Sequence, residues 1–445
     1  MRDVLTIGAF VLLATPLAIF LADGGLGHFT TLGGIFTGLG IVAGLVATTA
    51  VALMLILAAR VPVIDRAVGQ DKATWLHAKL GQTAFLGLVL HAALLLIGYA
   101  LTDGLDPLAE FGQLWGTRDF VLAVIGLALL TLVAVSSIVA ARRKMPYEVW
   151  HVIHLVSYAA VLVSLPHQFS MGGLFDDGPA FWFWAGLFSV AFFCLVNYRM
   201  LRPLITSFQH RLVVRRVVQE TPDTVSIELV GRRLDELDAR GGQYFHWRFL
   251  GWGLWHAQHP FSLSASPVIG PDGRGLLRIT VRNLGRGSRR LLRVRPGTRV
   301  MFEGPYGIFT NTSRTRDHLV AVGIGIGTTP IRALLEEADF APGWATVILR
   351  GSSAAELPLL GEIEELCAAK GAQLVVLLGH RDREVVSWLP REYARYGYRL
   401  GDLAPHLADA DLFVCAPQPA ADLVIAEAAA AGVKPDQIHN ERYDW

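Results

Sequence analysis

The sequence predicts a multidomain membrane protein: a six-helix transmembrane bundle, then an antiparallel β-barrel, then an α/β domain with a parallel sheet. Three observations lead to this fold class. The 445-residue chain is 53% hydrophobic, and its first 200 residues carry only 21 of its 77 charged residues. Short alternating strands follow, and then strands that alternate with helices. We therefore expect domains at 1–205, 206–312 and 313–445.

Six apolar runs in the first half are each close to the length needed to cross a bilayer. They cover about 4–22, 36–59, 76–100, 119–141, 149–168 and 180–199. The first run follows Arg2 and Asp3 and has no small-residue cleavage site, so we interpret it as a retained helix rather than a signal peptide. The net charge of +1 gives no case for nucleic-acid binding, and the three scattered cysteines match no iron–sulfur or zinc pattern.

The charges of the loops predict the orientation in the membrane. Basic residues follow the second, fourth and sixth runs: Arg60, Arg66, Lys72, Arg142, Arg143, Lys144, Arg199 and Arg202. The opposite loops contain a single basic residue, Arg118, and several acidic ones. By the positive-inside rule, both termini and the soluble half face the cytoplasm.

Histidines lie at matched depths in two of the apolar runs. His77 and His91 are in the third run, and His154 and His167 are in the fifth. Each pair spans roughly 20 Å of helix within a hydrocarbon core of about 30 Å. Because the two runs point the same way, His77 pairs with His154 at the inner side and His91 with His167 at the outer side. Two imidazoles can hold a haem iron, so we expect two electron-transferring b haems.

A single histidine at membrane depth is as often a packed, hydrogen-bonded residue as a ligand, but four at matched depths favour metal binding. The spacing of thirteen residues between His154 and His167 turns a straight helix about 140° away from a shared face. We expect Pro166 to kink the helix or to end it just before His167. His151 fits the depth less well, and we expect it to bind a haem propionate or to lie at the membrane interface.

Turn residues divide positions 210–311 into short alternating strands, which predicts a small antiparallel barrel. The strands cover 211–218, 224–229, 243–250, 261–266, 276–282 and 298–304. From about residue 317 onward, apolar strands alternate with helices, which implies a parallel sheet flanked by helices.

The segment His259-Pro260-Phe261-Ser262-Leu263-Ser264 combines an aromatic ring with hydroxyls at a strand end. These groups can stack on a flat ring and hydrogen-bond it, although a core strand would look similar. Arg282 and the turn Gly285–Ser288 add weight to a binding site, because a glycine-rich turn at a helix start presents N–H groups to a phosphate.

The segment Gly323-Ile324-Gly325-Ile326-Gly327-Thr328-Thr329-Pro330 lies between a predicted strand and a predicted helix. Its glycines allow a dinucleotide to approach the backbone, and Pro330 suits the first turn of a helix. Arg350, at the end of the next strand, either binds the 2′-phosphate of NADP or is a solvated loop charge.

In these residues the chain resembles bacterial members of the NADPH oxidase and ferric reductase superfamily over nearly its full length. The points of likeness are the two histidine pairs, Glu148, the HPFSLS segment, the Gly304-Pro305-Tyr306-Gly307 turn, the GIGIGTTP segment and a C-terminal aromatic residue.

The resemblance implies FAD in the barrel and NADPH, or alternatively NADH, in the α/β domain. The implied FAD contacts are Tyr244, His259, Pro260, Phe261, Ser262, Ser264, Arg282, Gly287, Ser288 and Trp445, of which the last covers the flavin. The implied nicotinamide dinucleotide contacts are Gly323, Gly325, Gly327, Thr328, Pro330, Arg350, Cys415 and Pro417. The chain departs from the family at Ala416, where a glycine is usual, and at Thr329.

The resemblance, together with the histidine pairs, predicts a flavocytochrome b oxidoreductase of the NAD(P)H oxidase or ferric reductase type, in a bacterial inner membrane. We expect electrons to pass from cytoplasmic NADPH through FAD and the two haems to an acceptor outside the cytoplasm. Dioxygen, reduced to superoxide, is the favoured acceptor. A ferric chelate or a partner protein is the alternative. No acid, base or nucleophile is expected beyond the cofactors, and the sequence leaves the oligomeric state open.

Overall fold

The computed structural model describes residues 2–141, 145, 147–171 and 178–441. The chain forms two compact units, Met1–Arg199 and Met200–Trp445. The predictions for Arg142, Arg143, Lys144 and Trp445, and for the side chain of Glu148, lie outside the described residues.

The first unit is helical. Its helices are α1 (Arg2–Ala22), α2 (Leu32–Ala58), α3 (Pro62–Val68), α4 (Gln70–Asp103), α5 (Pro107–Leu114), α6 (Arg118–Ala141), α7 (Tyr147–Ser170) and α8 (Gly178–Cys194). In the described part of the chain, six segments are long and apolar enough to cross a membrane, namely Asp3–Ala22, Leu32–Ala58, Lys72–Asp103, Arg118–Ala141, Val149–Ser170 and Gly178–His210. The prediction of six spans is confirmed.

Helix α2 packs along α4 through small residues. A Cβ atom on Gly87 would lie 2.9 Å from the Cβ of Ala47, and one on Gly98 would lie 2.4 Å from Oγ1 of Thr37. Helices α6 and α7 approach similarly at Gly126. Without a hydrophobic force between helices in lipid, such close backbone contact is a main source of their association.

The second unit begins with α9 (Arg202–His210), which follows a π-helical turn, Leu195–Leu201. An antiparallel sheet then contains β1 (Leu212–Thr221), β2 (Thr224–Gly231), β3 (Tyr244–Phe249), β4 (His259–Ser262), β5 (Val268–Ile269), β6 (Gly275–Arg282) and β7 (Arg299–Tyr306), with α10 (Arg286–Leu291) before β7. The strand order is β4-β3-β7-β1-β2-β6-β5. A bridge between Leu263 and Ile279 brings the end of β4 to β6 and closes the sheet into a barrel, as predicted.

The parallel sheet contains β8 (His318–Ile324), β9 (Ala345–Gly351), β10 (Gln373–Leu378), β11 (Ala410–Cys415) and β12 (Ile438–Glu441) in the order β10-β9-β8-β11-β12. The connecting helices are α11 (Thr328–Glu337), α12 (Leu360–Lys370), α13 (Arg391–Arg395), α14 (Leu400–Leu403) and α15 (Gln418–Ala430). The chain adds β9 and β10 on one side of β8 and then crosses to add β11 and β12 on the other side, so the strand order reverses between β8 and β11. Ligands of such sheets bind at this point of reversal. The predicted parallel sheet is confirmed.

Two polar networks fix the soluble domains in place. The buried carboxylate of Asp411 accepts hydrogen bonds of 2.6 Å from the N–H groups of Thr315 and Arg316, and His439 Nε2 lies 3.0 Å from it. Burial opposes ionisation of Asp411, but the bonds from His439 and from the two N–H groups outweigh it and lower the pKa of this carboxyl. The segment between the barrel and the parallel sheet is thereby tied to β11 and β12.

The second network joins the barrel to the helices of the parallel sheet. Arg278 of β6 and Arg332 of α11 both bind Glu362 of α12, at 2.8 and 2.7 Å. The N–H group of Ser266 donates to Glu336 of α11 at 2.6 Å. These part-buried ion pairs share a carboxylate between two guanidinium groups, which gives a defined geometry to the contact between barrel and sheet.

The glycine-rich loop after β8 touches the end of β11. A Cβ atom on Gly327 would lie 1.9 Å from the carbonyl oxygen of Cys415, closer than any side chain can approach. Gly325 has φ +61°, in the left-handed region that favours glycine. The close approach therefore requires glycine at position 327, and the turn favours glycine at position 325.

We expect the substitution Gly327→Ala to loosen β8 and β11. The new methyl group would overlap the Cys415 carbonyl, and relieving the overlap should cost about 3 kcal/mol or more. Amide hydrogen exchange in the two strands should become faster by roughly 100-fold. Gly361→Ala, on α12 with no atom within 4 Å of the new Cβ, is the matched control. Unchanged exchange in Gly327→Ala would contradict the close approach.

Candidate functional site

The inner histidine pair comes together inside the first unit. The ring centroids of His77 on α4 and His154 on α7 are 6.1 Å apart, with the ring planes at 59°. Two metal–nitrogen bonds of about 2 Å each, together with the radii of the two rings, give a spacing of about 6 Å. The pair is therefore spaced as two imidazoles that hold a metal between them.

Hydrogen bonds set the tautomers of three of the four predicted ligands. His77 Nδ1 donates to the carbonyl of Met54 at 3.2 Å, and His91 Nδ1 donates to the carbonyl of Gly40 at 2.8 Å. His167 Nδ1 donates to the carbonyl of Ser164. An imidazole that gives its Nδ1 proton to a carbonyl keeps the lone pair on Nε2, the form in which histidine binds a metal.

His154 differs from the other three. Its Nδ1 atom is buried and has no hydrogen-bond partner among the described residues. Its ring lies against Trp150, with centroids 4.9 Å apart, and Trp150 Nε1 donates to the Ser137 hydroxyl of α6 at 3.2 Å. Sequence reasoning missed Trp150, whose position one turn before His154 was the available signal.

Gly44 is a second residue that sequence reasoning missed. A Cβ atom on Gly44 of α2 would lie 2.4 Å from Nδ1 of His91. The carbonyl that His91 reaches, that of Gly40, lies one helical turn earlier in α2. Glycine at position 44 is therefore what lets the imidazole reach this carbonyl.

Pro166 does not end the helix, so one of the two outcomes expected there is wrong. Helix α7 continues through Pro166 and His167 to Ser170. Proline lacks an N–H group and so withdraws one donor from the helical ladder. The carbonyl left without that donor is that of Leu162, four residues earlier. The Nδ1 proton of His167 goes to a different carbonyl, that of Ser164.

The strand ends of the barrel gather most of the predicted flavin residues. Tyr244 of β3 pairs with Ser262 of β4 and with Tyr306 of β7, and the two tyrosine rings are 5.8 Å apart. The Ser262 hydroxyl donates to Oε1 of Glu441 at 2.8 Å. Glu441 belongs to β12 and was missed, because nothing in the sequence connects it to Ser262. Barrel and parallel sheet thus meet at Ser262.

His259 lies beside the start of α10. Its ring is parallel to that of Phe261, with centroids 6.1 Å apart, and a Cβ atom on Gly287 would lie 3.2 Å from its Cε1. Its Nε2 atom is buried and has no hydrogen-bond partner in the described residues. Burial, then the nearby His256 and Arg248, lower the pKa of His259 to about 4. The imidazole is therefore neutral at physiological pH, with an unused polar atom that can bind a ligand.

Arg282 lies between the barrel and the glycine-rich loop. It binds Asp223 at 2.8 Å and Glu356 at 3.8 Å. A Cβ atom on Gly325 would lie 3.8 Å from its Nη1 atom. The guanidinium can therefore reach phosphates held on either side of this boundary.

Two predicted flavin contacts have structural partners. The Ser288 hydroxyl accepts from the N–H groups of Leu284 and Gly285, at 2.9 and 3.1 Å, and so fixes the turn before α10. Ser264 is fully buried, and its hydroxyl accepts from Thr280 at 2.8 Å. Their contacts with FAD, like those of Pro260, remain predictions.

The carboxyl ends of β8, β9 and β11 meet at the glycine-rich loop, and we call this edge of the sheet the crevice. Gly323, Gly325 and Gly327 lie at this edge, where Gly327 packs against the buried Cys415. The Thr328 hydroxyl donates to the carbonyl of Pro358 at 2.9 Å.

The helices of the crevice start at its edge. Pro330 lies in the first turn of α11, and Pro417 precedes α15. The contacts of Pro330 and Pro417 with a nicotinamide dinucleotide remain predictions.

Arg350 is a buried cation in the same crevice. It donates to the carbonyl of Gly379 at 3.3 Å, and its Nε atom has no hydrogen-bond partner among the described residues. Burial first, and the like charge of Arg381 second, lower the pKa of Arg350. Sequence reasoning missed Arg381. It lies just after β10, and Arg350 lies at the corresponding end of the neighbouring strand β9. An anion beside these two residues would relieve the repulsion between them.

Comparisons with known proteins agree with this division of the chain. Residues 43–165 match the family described as "Ferric reductase like transmembrane component". The heavy chain of a superoxide-generating NADPH oxidase of Dictyostelium discoideum is 24% identical over 232 residues, which are 47% of this chain and 31% of that relative. The chain thus matches less than a third of that relative's length.

Other similarities lie with flavin reductases. A ferredoxin–NADP reductase of Sorangium cellulosum is 27% identical over 187 residues, 39% of this chain and 75% of that protein. Among solved structures, the flavohaem-like FAD/NAD-binding domain of a nitric oxide dioxygenase from Vibrio cholerae is 26% identical and covers 53% of this chain and 99% of its own, with a TM-score of 0.42. Residues 43–165 thus resemble a ferric reductase-like transmembrane component, and the chain also resembles a ferredoxin–NADP reductase, so both likenesses are to oxidoreductases.

Proposed function

We propose that the chain is a transmembrane oxidoreductase that takes electrons from NADPH and delivers them, through FAD and two bis-histidine b haems, to dioxygen. The single observation that carries the proposal is the inner histidine pair. Two imidazoles on different membrane-spanning helices lie 6.1 Å apart, and His77 has its Nδ1 proton engaged elsewhere. Such an arrangement at membrane depth suits an iron ligand set.

Each histidine has a defined role in this proposal. His77 and His154 hold the inner haem, and His91 and His167 hold the outer one. The carbonyls of Met54, Gly40 and Ser164 orient the rings of His77, His91 and His167 in turn. When bound, a flavin accepts a hydride and releases electrons singly, and haem iron carries them one at a time.

The barrel residues would bind and orient the flavin. Tyr244, Phe261 and Ser262 line the strand ends where a flat ring system can stack. Glu441 holds the Ser262 hydroxyl, and would thereby fix the orientation of a hydroxyl beside the bound flavin. His259, with its neutral imidazole, can bind polar groups of FAD beside Gly287.

Arg350 and Arg381 support NADPH, rather than NADH, as the donor. The 2′-phosphate of NADPH is an anion that a pair of guanidinium groups binds well. The lowered pKa of Arg350 reflects burial and like-charge repulsion that this phosphate would compensate. Gly325, whose Cβ position has only Nη1 of Arg282 within 4 Å, at 3.8 Å, leaves room for the pyrophosphate at the point where the strand order reverses.

The orientation follows from the loop charges. Basic residues after the second and sixth apolar runs, such as Arg60, Arg66 and Arg202, favour the cytoplasmic side of a bacterial plasma membrane. The flavin and nicotinamide sites would then face cytoplasmic NADPH, and His91 and His167 would lie near the outer surface.

Dioxygen is the acceptor that we propose, because the Dictyostelium relative is named for superoxide generation. A ferric chelate is the second candidate, favoured by the match of residues 43–165 to ferric reductase-like components. The chain would act on either without a general acid or base, because an electron transfer needs only proximity and a suitable potential.

The proposal as a whole is tested by the visible spectrum of the purified chain. We expect the absorption of two b haems, and we expect NADPH with FAD under argon to reduce both. His77→Ala should bind about half as much haem, since it lacks one axial ligand. A chain that binds no haem, or whose haem stays oxidised when NADPH is added, would exclude the proposed electron path.

Gly44→Ala tests the outer site separately. The added methyl group should displace the His91 imidazole from the Gly40 carbonyl and weaken one of the two haem sites by about 10-fold or more. Haem content and reduced-minus-oxidised spectra measure this. Gly186→Ala, on α8 with open space at the new Cβ, is the control. Full content and unchanged spectra in Gly44→Ala would contradict the role assigned to His91.

The acceptor is tested by dye reduction in air. We expect NADPH-driven reduction of a superoxide reporter that superoxide dismutase suppresses by about 10-fold or more, and that stops without oxygen. If reduction of a ferric chelate persisted under argon and were unaffected by the dismutase, the ferric chelate would be the favoured acceptor instead. If the chain consumed no NADPH until another protein was added, it would be an electron donor to a partner.

A further inference from the structure

The loop between β3 and β4 exposes aromatic side chains that the proposed electron path does not use. Trp252 is 87% exposed and Trp255 is 63% exposed, although the intervening Leu254 is buried in the barrel core. Leu250, at the start of the loop, is also exposed. Tryptophan has an apolar body and one polar N–H group, and it concentrates at membrane–water interfaces. Two exposed tryptophans on one short loop therefore suggest an interfacial contact.

A strongly basic segment lies next to this loop. Residues 284–300 contain six arginines and no acidic residue. Arg289, Arg293 and Arg295 are exposed, and in the described part of the chain they pair with no carboxylate. Leu284, at the start of the segment, is 75% exposed. The segment thus repeats the combination of positive charge and exposed apolar side chains.

Hydrogen bonds hold the loop and the segment together. Arg290 of α10 donates to the carbonyl of Gly253 at 2.7 Å. The N–H group of Leu250 donates to the carbonyl of Arg299 at 2.8 Å. The two stretches therefore form one surface. We call this the tryptophan–arginine surface, and it consists of Leu250, Trp252, Trp255, Leu284, Arg289, Arg290, Arg293 and Arg295.

The second unit follows closely on an apolar helix. Helix α8 is long and apolar enough, with the residues after it, to cross a membrane, and the π-helical turn Leu195–Leu201 and the nine-residue α9 lie between it and β1. This short connection keeps the local concentration of lipid headgroups around the barrel high. Anionic lipids attract arginine clusters near a membrane, and tryptophan rings insert at headgroup depth.

We propose that the tryptophan–arginine surface docks on the anionic leaflet of the bilayer that the chain itself spans. The exposed arginines bind lipid phosphates, and Trp252 and Trp255 insert at the level of the headgroups. This contact holds the barrel against the membrane independently of the haem and flavin assignments.

The test uses the full chain in nanodiscs, one chain per disc, made of phosphatidylcholine alone or with phosphatidylglycerol added. Hydrogen exchange is measured for the amides of residues 248–257 and 284–299. We expect the anionic lipid to slow exchange in both stretches by roughly 10-fold. Trp252→Ser, and separately Arg293→Gln with Arg295→Gln, should lose most of this protection.

Matched controls separate docking from misfolding. Tyr396→Ser removes an aromatic side chain that is 82% exposed elsewhere on the unit, and Arg215→Gln with Arg232→Gln removes two exposed arginines of the barrel. Both should keep the protection. Every variant must show wild-type exchange at 345–351 in the parallel sheet, as evidence that it is folded. If Trp252→Ser fails this criterion, Trp252→Phe, which retains an aromatic ring, is tested in its place.

Three outcomes would overturn the proposal. The first is equal exchange in the two lipid compositions. The second is equal loss of protection in the control variants. The third is protection that appears only when two chains share a disc, which would make the surface a contact between copies of this chain.

Discussion

The close approach of α2 to α4 is the constraint on which the membrane unit depends. Small residues line both helices, so the backbone of α2 comes within hydrogen-bonding distance of side chains on α4. His77 and His91 then donate to two carbonyls of α2, at Met54 and Gly40. A bulkier contact would separate the helices and leave both imidazoles free to rotate. The packing of small residues thus orients the groups that bear the chemistry.

A comparable constraint operates at the reversal point of the parallel sheet. Gly327 leaves no room for a side chain against Cys415, so the glycine-rich loop is pressed onto the end of β11. Asp411, at the other end of the same strand, anchors the segment that arrives from the barrel. One buried strand therefore supports the loop at its carboxyl end and the domain connection at its amino end. Precision at the crevice follows from the rigidity of β11.

Much of the fold could be predicted because it depends on patterns within single segments. Long apolar runs marked the six spans, and alternation marked the barrel strands. The short elements α3, α5, α13, α14 and β12 were not predicted, since segments of four to eight residues carry too little periodicity. The boundaries of the three predicted domains remain predictions.

For the candidate site, too, the features that lie within one segment could be predicted and those that depend on contacts between segments could not. The histidine positions and the glycine spacing were readable, because each belongs to one segment. Gly44, Trp150 and Glu441 were not, because each acts on a residue of another element or depends on how the helix packs. Pro166 shows the limit of local rules: an isolated proline disfavours a helix, but the surrounding bundle keeps α7 continuous through it.

The bond between Ser262 and Glu441 has a consequence for how the protein is made. Its two residues are 179 positions apart in the chain. During synthesis the barrel strands emerge first, and they can fold while the strand that carries Glu441 is still inside the ribosome. The nascent barrel therefore presents the Ser262 hydroxyl without its carboxylate partner. Maturation of that surface must await translation of β12, which places the final pairing of barrel and parallel sheet at Ser262 after the membrane helices and the barrel have formed.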